Sequence, residues 1–138
     1  MWSQEKISKQ KQYFEEQRNK PTGNFTEFVV RTYYCIYKFC VENDSNCCIA
    51  SNTNSYKIKN IIYEGFYNNH PDHDYRRVID NCKDTLKEMH YIRLKKENDI
   101  WIICILQPLD FLLEGEHESY LKKYEINNTI NFQLYSNE

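Results

Sequence analysis

Four side chains of types that bind metals crowd one short stretch of the sequence, namely His70, Asp72, His73 and Asp74. Imidazole nitrogens and carboxylate oxygens are ordinary zinc ligands, so a small metal-dependent enzyme is one hypothesis for this loop. Such a site usually takes further ligands from a second, regularly spaced pair, and the sequence has no such pair. Polar residues of a turn explain the cluster without a metal. We therefore predict neither a bound metal nor a cofactor, and rank the metal-dependent enzyme last.

The cysteine and glycine residues of the chain argue against an enzyme with a cysteine nucleophile and against a nucleotide-binding protein. Cys82 and Cys104 fall on apolar faces of predicted elements, where a thiol behaves as a small core hydrophobe. The chain has six Cys, and its polar N-terminus lacks the pattern of a secretory signal, so we expect reduced thiols in a cytoplasmic protein. It has three Gly and neither a glycine-rich phosphate loop nor a nucleophile elbow. The sequence therefore predicts no enzyme, and no apolar run is long enough to span a membrane.

Basic side chains in the second half of the chain form two groups that suit phosphate binding. The first group lies on a helix predicted over 74–89, and the second lies on the strand that follows it. The basic residues of the helix are Arg76, Arg77, Lys83 and Lys87, and those of the strand are Arg93, Lys95 and Lys96. The formal net charge of the chain is −2, but residues 108–138 are rich in acid, so DNA would have to contact the basic part.

Not every charge on the predicted helix favours DNA. On a helical wheel Arg76, Lys83 and Lys87 share one shoulder, whereas Arg77 shares the opposite crest with Asp80 and Asp84. Carboxylates on a crest repel phosphate, and a solvated face with ion pairs one turn apart is the alternative interpretation. We therefore expect DNA to contact the first turn and the basic shoulder of the helix, and the strand more strongly.

The helix and the strand are themselves predicted from apolar spacing. Apolar side chains recur at helical intervals at Tyr75, Val78, Ile79, Cys82, Leu86 and Met89. Residues 91–96 and 100–106 are then predicted strands of a hairpin, because Glu97-Asn98-Asp99 between them has the composition of a tight turn. The remaining predicted elements are helices over 2–18, 24–41, 56–63 and 109–124, and strands over 47–50 and 130–134.

The helix predicted over 24–41 is apolar on two faces. One face carries Phe28, Ile36 and Cys40, among others, and the second consists of Val30, Tyr33, Tyr34 and Tyr37. A helix that is apolar on two sides packs on its own domain and on something else. We take the second face as the predicted interface of a homodimer. The rival interpretation is a strand, since these residues include many β-formers, but the length of the segment favours a helix.

Over residues 24–107 the chain resembles the winged helix-turn-helix superfamily. Ile79, Cys82 and Leu86, followed by Met89-His90-Tyr91-Ile92, are similar to that family's usual end of the recognition helix and start of the wing. His90 stands where the family commonly has Gly, which implies a positive φ at this residue. The resemblance implies a mainly helical α+β fold. It divides the chain into an N-terminal helical arm (1–23), a winged-helix domain with a small antiparallel wing (24–107) and a C-terminal helix with a strand-like tail (108–138).

Two functions from different classes fit these expectations. The first is a non-enzymatic, sequence-specific double-stranded DNA-binding homodimer of a plasmid- or phage-type system, acting in transcription regulation, replication or partition. The resemblance implies that its recognition helix (74–89) enters the major groove and its basic wing (91–100) contacts phosphates. The DNA contacts that it implies are Tyr75, Arg76 and Arg77, with Lys83 and Lys87 behind them, on the helix, and Arg93, Lys95 and Lys96 on the wing. The alternative is a protein-binding module of the same fold, such as a phage- or plasmid-encoded inhibitor or adaptor, acting through its acidic surfaces.

Overall fold

The computed structural model describes residues 4–19, 24–51 and 76–132, which form a mixed α+β fold that is mainly helical. Its helices are α1 (Gln4–Arg18), α2 (Asn24–Glu42), α3 (Arg76–Glu88) and α4 (Glu116–Lys123). Its strands are β1 (Cys47–Ser51), β2 (Ile92–Glu97) and β3 (Ile100–Ile105), which form one antiparallel sheet in the order β1-β3-β2. The predicted helix 56–63 and the histidine loop lie outside the described residues.

Helix α2 is the centre of this arrangement, and its prediction as a helix over 24–41 is confirmed. It packs against α1, α3, β1 and β3. The predicted dimer face is wrong, however, because Val30, Tyr33, Tyr34 and Tyr37 are each at most 2% exposed within the single chain. Side chains without exposed surface cannot contact a second subunit. The second apolar face of α2 is covered by other parts of the same chain.

The hydroxyl groups of three tyrosines on α2 hold the C-terminal segment. Tyr33 donates a hydrogen bond to the carbonyl oxygen of Gln107 (2.8 Å), and the backbone N–H of Ile130 donates one to Tyr37 Oη (2.9 Å). Between them, Tyr34 Oη lies 2.6 Å from His117 Nδ1. Burial lowers the pKa of His117, which favours the neutral ring in this contact. The segment 107–130 therefore folds back along α2 and is held near its start, its middle and its end.

The C-terminal segment is less regular than its sequence predicts. Residues 109–115 form turns instead of helix, and α4 begins only after Gly115, which has φ of +83° and therefore interrupts a right-handed helix. The turns bring Leu109 and Phe111 into the core. The strand predicted over 130–134 is also wrong for 130–132, which lie against the core outside any strand, while 133–138 fall outside the described residues.

Helix α1 is docked on the turns of the C-terminal segment. Its buried Phe14 stacks on Phe111, with ring centroids 4.8 Å apart. Arg18 forms an ion pair with Glu116 and donates a hydrogen bond to the Phe111 carbonyl oxygen (3.1 Å). The sequence predicted this segment as a separate N-terminal helical arm over 1–23. The contacts within the chain show a helix that completes the core.

Three helices end in the same way, with a residue other than glycine in the left-handed conformation. Asp44, His90 and Glu125 have φ of 51°, 65° and 58°. After α3, the N–H of Tyr91 bonds to Leu86 O and that of His90 to Lys87 O, which is the Schellman pattern. The predicted positive φ at His90 is therefore confirmed. This turn connects α3 directly to β2.

Strands β1 and β3 are joined covalently. Cys47 lies directly opposite Cys104 in the sheet, and the two form a disulfide across a sequence separation of 57 residues. The expectation that all six cysteines are reduced is therefore wrong for this pair. Sequence spacing gave no sign of it, because the pairing depends on the register between two distant strands. Cys35, Cys40, Cys48 and Cys82 are free and buried.

We predict that His90→Gly raises the free energy of unfolding by about 1 kcal/mol, because glycine adopts the left-handed conformation without the steric cost that a side chain brings. Asp84→Gly, at an exposed position inside α3, is the matched control and should lower that free energy by about 0.3 kcal/mol. Urea unfolding followed by circular dichroism measures both. A loss of stability in His90→Gly would contradict this description of the turn.

We also predict that reduction of the disulfide lowers the free energy of unfolding by about 4 kcal/mol, because the bond closes a long loop in the unfolded chain. Urea unfolding with and without a dithiol reductant measures the difference. The double variant Cys47→Ser/Cys104→Ser is the control, and its unfolding midpoint should not respond to the reductant. An unchanged midpoint for the native chain would show that the bond adds no stability.

Candidate nucleic-acid interface

Helix α3 offers only part of its predicted basic surface. Ile79, Cys82 and Leu86 are fully buried, and the helix packs with this face on α2. Arg77 is exposed on the opposite side, together with Lys87. Arg76 is the first residue of α3, but its side chain and the whole of Tyr75 lie outside the described part. Arg77 and Lys87 are therefore the described basic side chains of this helix that a ligand can reach.

Lys83 does not belong to the interface. Its side chain is 3% exposed, and its Nζ lies 3.8 Å from Asp80 Oδ1, one turn earlier on α3. The sequence placed Lys83 on a solvent-exposed shoulder because the apolar stripe of the helix looked narrow. The buried face is wider than that stripe, and Lys83 lies at its margin. Its prediction as a DNA contact is wrong, since DNA cannot reach a buried ammonium group.

The exposed crest of α3 carries more acid than base. Asp84 is exposed beside Arg77 on the helix surface, and Asp80 and Glu88 are half-exposed. Among the described exposed residues of α3, only Arg77 and Lys87 carry positive charges that oppose these three carboxylates. This surface is unfavourable to a phosphate backbone along most of its length. The N-terminal turn of the helix is its least acidic part.

The wing is a regular two-stranded hairpin. Asn98 and Asp99 connect β2 to β3 with φ of 50° and 66°, the positive values that a tight type I′ turn requires. Lys95 Nζ lies 3.5 Å from Glu97 Oε1, and Lys96 Nζ lies 3.8 Å from Asp99 Oδ1. The acidic side chains of the wing therefore offset part of its positive charge. Such exposed pairs are weak and salt-dependent, so their lysines can still exchange them for phosphate.

The predicted basic row of the wing is divided between the two faces of the sheet. Side chains alternate along a strand, so Arg93 and Lys95 share one face while Lys96 lies on the other. The ammonium group of Lys96 lies 5.8 Å from the ring centroid of Trp101. Arg93 and Lys95 are half-buried above the outer face of the sheet. A single DNA backbone could therefore contact two of these three residues along one face.

The outer face of the sheet also has an apolar part that the sequence analysis missed. Ile49 is 64% exposed, and Ile102 lies beside it on β3. In β1, Cys48 and Ala50 are buried and Ile49 between them faces outwards, an alternation that the wholly apolar residues 47–50 do not show in the sequence. Without the register against β3, that alternation could not show which basic and apolar side chains share the face.

Among the described residues, no three His, Cys, Asp or Glu side chains come together as a metal site. In that same part of the chain, no helix is both long and apolar enough to cross a membrane. The chain matches no family model, and searches of curated proteins and of solved structures found no match.

We predict that Lys83→Met lowers the free energy of unfolding by more than about 1 kcal/mol, because it removes the buried ammonium partner of the ion pair with Asp80. Lys87→Met, at an exposed position on the same helix, is the control and should change that free energy by less than about 0.5 kcal/mol. Urea unfolding measures both. A gain in stability in Lys83→Met would mean that burial of the ammonium group costs more than its ion pair contributes.

Proposed function

We propose that this protein is a non-enzymatic winged-helix protein that binds double-stranded DNA in the cytoplasm, as a sequence-specific regulator of a plasmid- or phage-type system. The observation that carries the proposal is the order of the elements. Helix α2 leads to β1, and α3 leads through a tight turn into the hairpin β2–β3, whose second strand pairs with β1. This is the arrangement in which winged-helix domains place a recognition helix beside a wing.

The charges support contact at two places. The first turn of α3 carries Arg76 and Arg77, and the positive end of the helix dipole adds to their attraction for phosphate. The face of the wing with Arg93 and Lys95 is the second place. The acidic crest argues against a helix that lies flat in the groove, so the proposed complex inserts only the start of α3. A homodimer that reads a repeated site would have to use a surface other than the tyrosine face of α2.

The test is binding to duplex DNA across a salt series. For four or five phosphate contacts, the logarithm of the association constant should fall against the logarithm of salt concentration with a slope of about −4. Arg77→Gln and Lys95→Gln should each reduce the magnitude of the slope by about 1. Lys122→Gln, at an exposed position on α4, is the matched control and should leave it unchanged. Failure to bind at the lowest salt concentration, or a slope that neither variant changes, would contradict the proposal.

The acidic crest of α3 supports a second candidate function, a protein-binding module that contacts a basic partner through Asp80, Asp84 and Glu88. Asp84→Asn distinguishes the two candidates. If DNA contacts α3, removing this carboxylate should strengthen DNA binding several-fold at low salt, because one repulsion is lost. If the crest instead binds a protein, the variant should leave DNA binding unaltered and weaken the capture of that partner.

A further inference from the structure

The disulfide between Cys47 and Cys104 lies on the outer face of the sheet, where its two sulfur atoms have different surroundings. Cys47 is half-buried, whereas Cys104 is 0% exposed. Thiol–disulfide exchange begins when an external thiolate reaches one of the two sulfurs. The difference in exposure therefore makes Cys47 the point of attack and Cys104 the leaving group.

A shallow cavity gives access to Cys47. It has a volume of about 260 Å³ and is lined by Asn43, Cys47, Cys48, Ile49 and Ile102. Ile49 is a largely exposed side chain in this lining. The cavity is therefore open to solvent on the side of the sheet where the disulfide lies, and it can admit a thiol of small molecular size.

Two cations lie in register with this site. Arg93 on β2 is directly opposite Cys104, and Lys95 is directly opposite Ile102, so both share the outer face with the disulfide. A neighbouring guanidinium group favours the thiolate form of a cysteine, and a better thiolate is a better leaving group. Glu97 lies on the same face, 3.5 Å from Lys95, so the three charges leave one net positive charge that attracts an attacking molecule with carboxylates.

We propose that Cys47–Cys104 is a thiol–disulfide exchange site for a small anionic thiol that attacks Cys47 from this cavity. The proposal does not rest on DNA binding, because it concerns the chemistry of the disulfide alone. In a reducing cytoplasm, a disulfide that a small thiol can open is of the transient, redox-responsive kind. Its opening would remove the covalent bond between β1 and the wing strand β3.

The exchange is balanced in two steps. The thiolate of the small molecule forms a bond to Cys47 Sγ while the bond between the two cysteines breaks, and the electron pair leaves on Cys104 Sγ, which then takes a proton from water. A second thiolate attacks the small-molecule sulfur of the mixed disulfide and releases Cys47 as a thiolate. In total, two small thiols are oxidised to their disulfide and the protein disulfide is reduced to two thiols.

The free cysteines compete little with this site. Burial raises the pKa of Cys82 to about 12 and raises the pKa of Cys35 as well, and both thiols are shielded from solvent. A hydrogen bond from Cys40 lowers the pKa of Cys48, which makes Cys48 the nearest competitor. Cys48 points to the opposite face of β1 from Cys47, towards the core, and is 5% exposed.

The first experiment uses the native oxidised chain. It is incubated at low ionic strength with glutathione, an anionic thiol, or with cysteamine, a cationic thiol, at equal thiolate concentrations, quenched with acid and mapped by mass spectrometry. The expected result is a mixed disulfide on Cys47, formed at least about threefold faster with glutathione, with a rate advantage that falls as salt is added. Adducts on Cys104 or Cys48, or exchange only in denaturant, would overturn the proposal.

Two matched variants test the asymmetry separately. Cys104→Ser and Cys47→Ser each remove the disulfide and one sulfur atom, so they share the loss of stability. With oxidised glutathione, Cys47 in the first variant should be modified at least about tenfold faster than Cys104 in the second. Protection of Cys82 in both samples verifies that they are folded. Equal rates in folded samples would overturn the proposal, and if either variant is unfolded the native-chain result decides alone.

Discussion

The rest of this structure depends on the hydrogen bonds between the three buried tyrosines of α2 and the C-terminal segment. A tyrosine buries a large ring but must still satisfy its hydroxyl, because an unpaired polar group inside a protein costs about 1 to 3 kcal/mol. Here Tyr33, Tyr34 and Tyr37 satisfy theirs on three separate points of one returning segment. These tyrosines therefore set the path of the C-terminal segment along α2 and close that face of the helix.

The same segment holds the base of the wing. The N–H of Leu106 donates to Tyr91 O, and Gln107 Nε2 donates to His90 O, so the turn after α3 is tied to the chain that leaves β3. The hydroxyl of Tyr91 donates to Asp110, which also binds Lys11 of α1. The angle between α3 and the hairpin β2–β3 is thus supported in part by Asp110 and Lys11, which lie outside residues 24–107. A DNA interface built on that angle would depend on the whole chain.

The sequence correctly predicted the features that depend on residues close together in the chain. The spacing of Ile79, Cys82 and Leu86 predicted α3, and the composition of the turn predicted the hairpin. The winged-helix resemblance, in which His90 stands where the family commonly has Gly, implied the positive φ of His90. The errors concern features that depend on contacts between residues far apart in the chain. Tyr33 and its neighbours looked like a face for a second subunit, because nothing local shows that residues 107–130 return to cover them.

The predictions for the candidate site differ in the same way between local and distant features. Lys83 was assigned to solvent because a helical wheel shows the direction of a side chain but not the width of the surface that buries it. The Cys47–Cys104 bond could not be predicted from the sequence, since it follows from the register between β1 and β3, which lie far apart in the chain. Charge type was readable from the sequence, whereas the grouping of charges on one face was not.

The exchange rate of the Ile130 amide hydrogen tests the account most directly, because this N–H donates to Tyr37 Oη. Comparison by nuclear magnetic resonance of the native chain with Tyr37→Phe removes that acceptor and keeps the ring. The account predicts that Ile130 exchanges about tenfold faster in the variant, whereas Ile126, whose N–H bonds to Leu121 O, keeps its rate. Unchanged exchange at Ile130 would contradict the claim that the tyrosine hydroxyls of α2 hold the C-terminal segment in place.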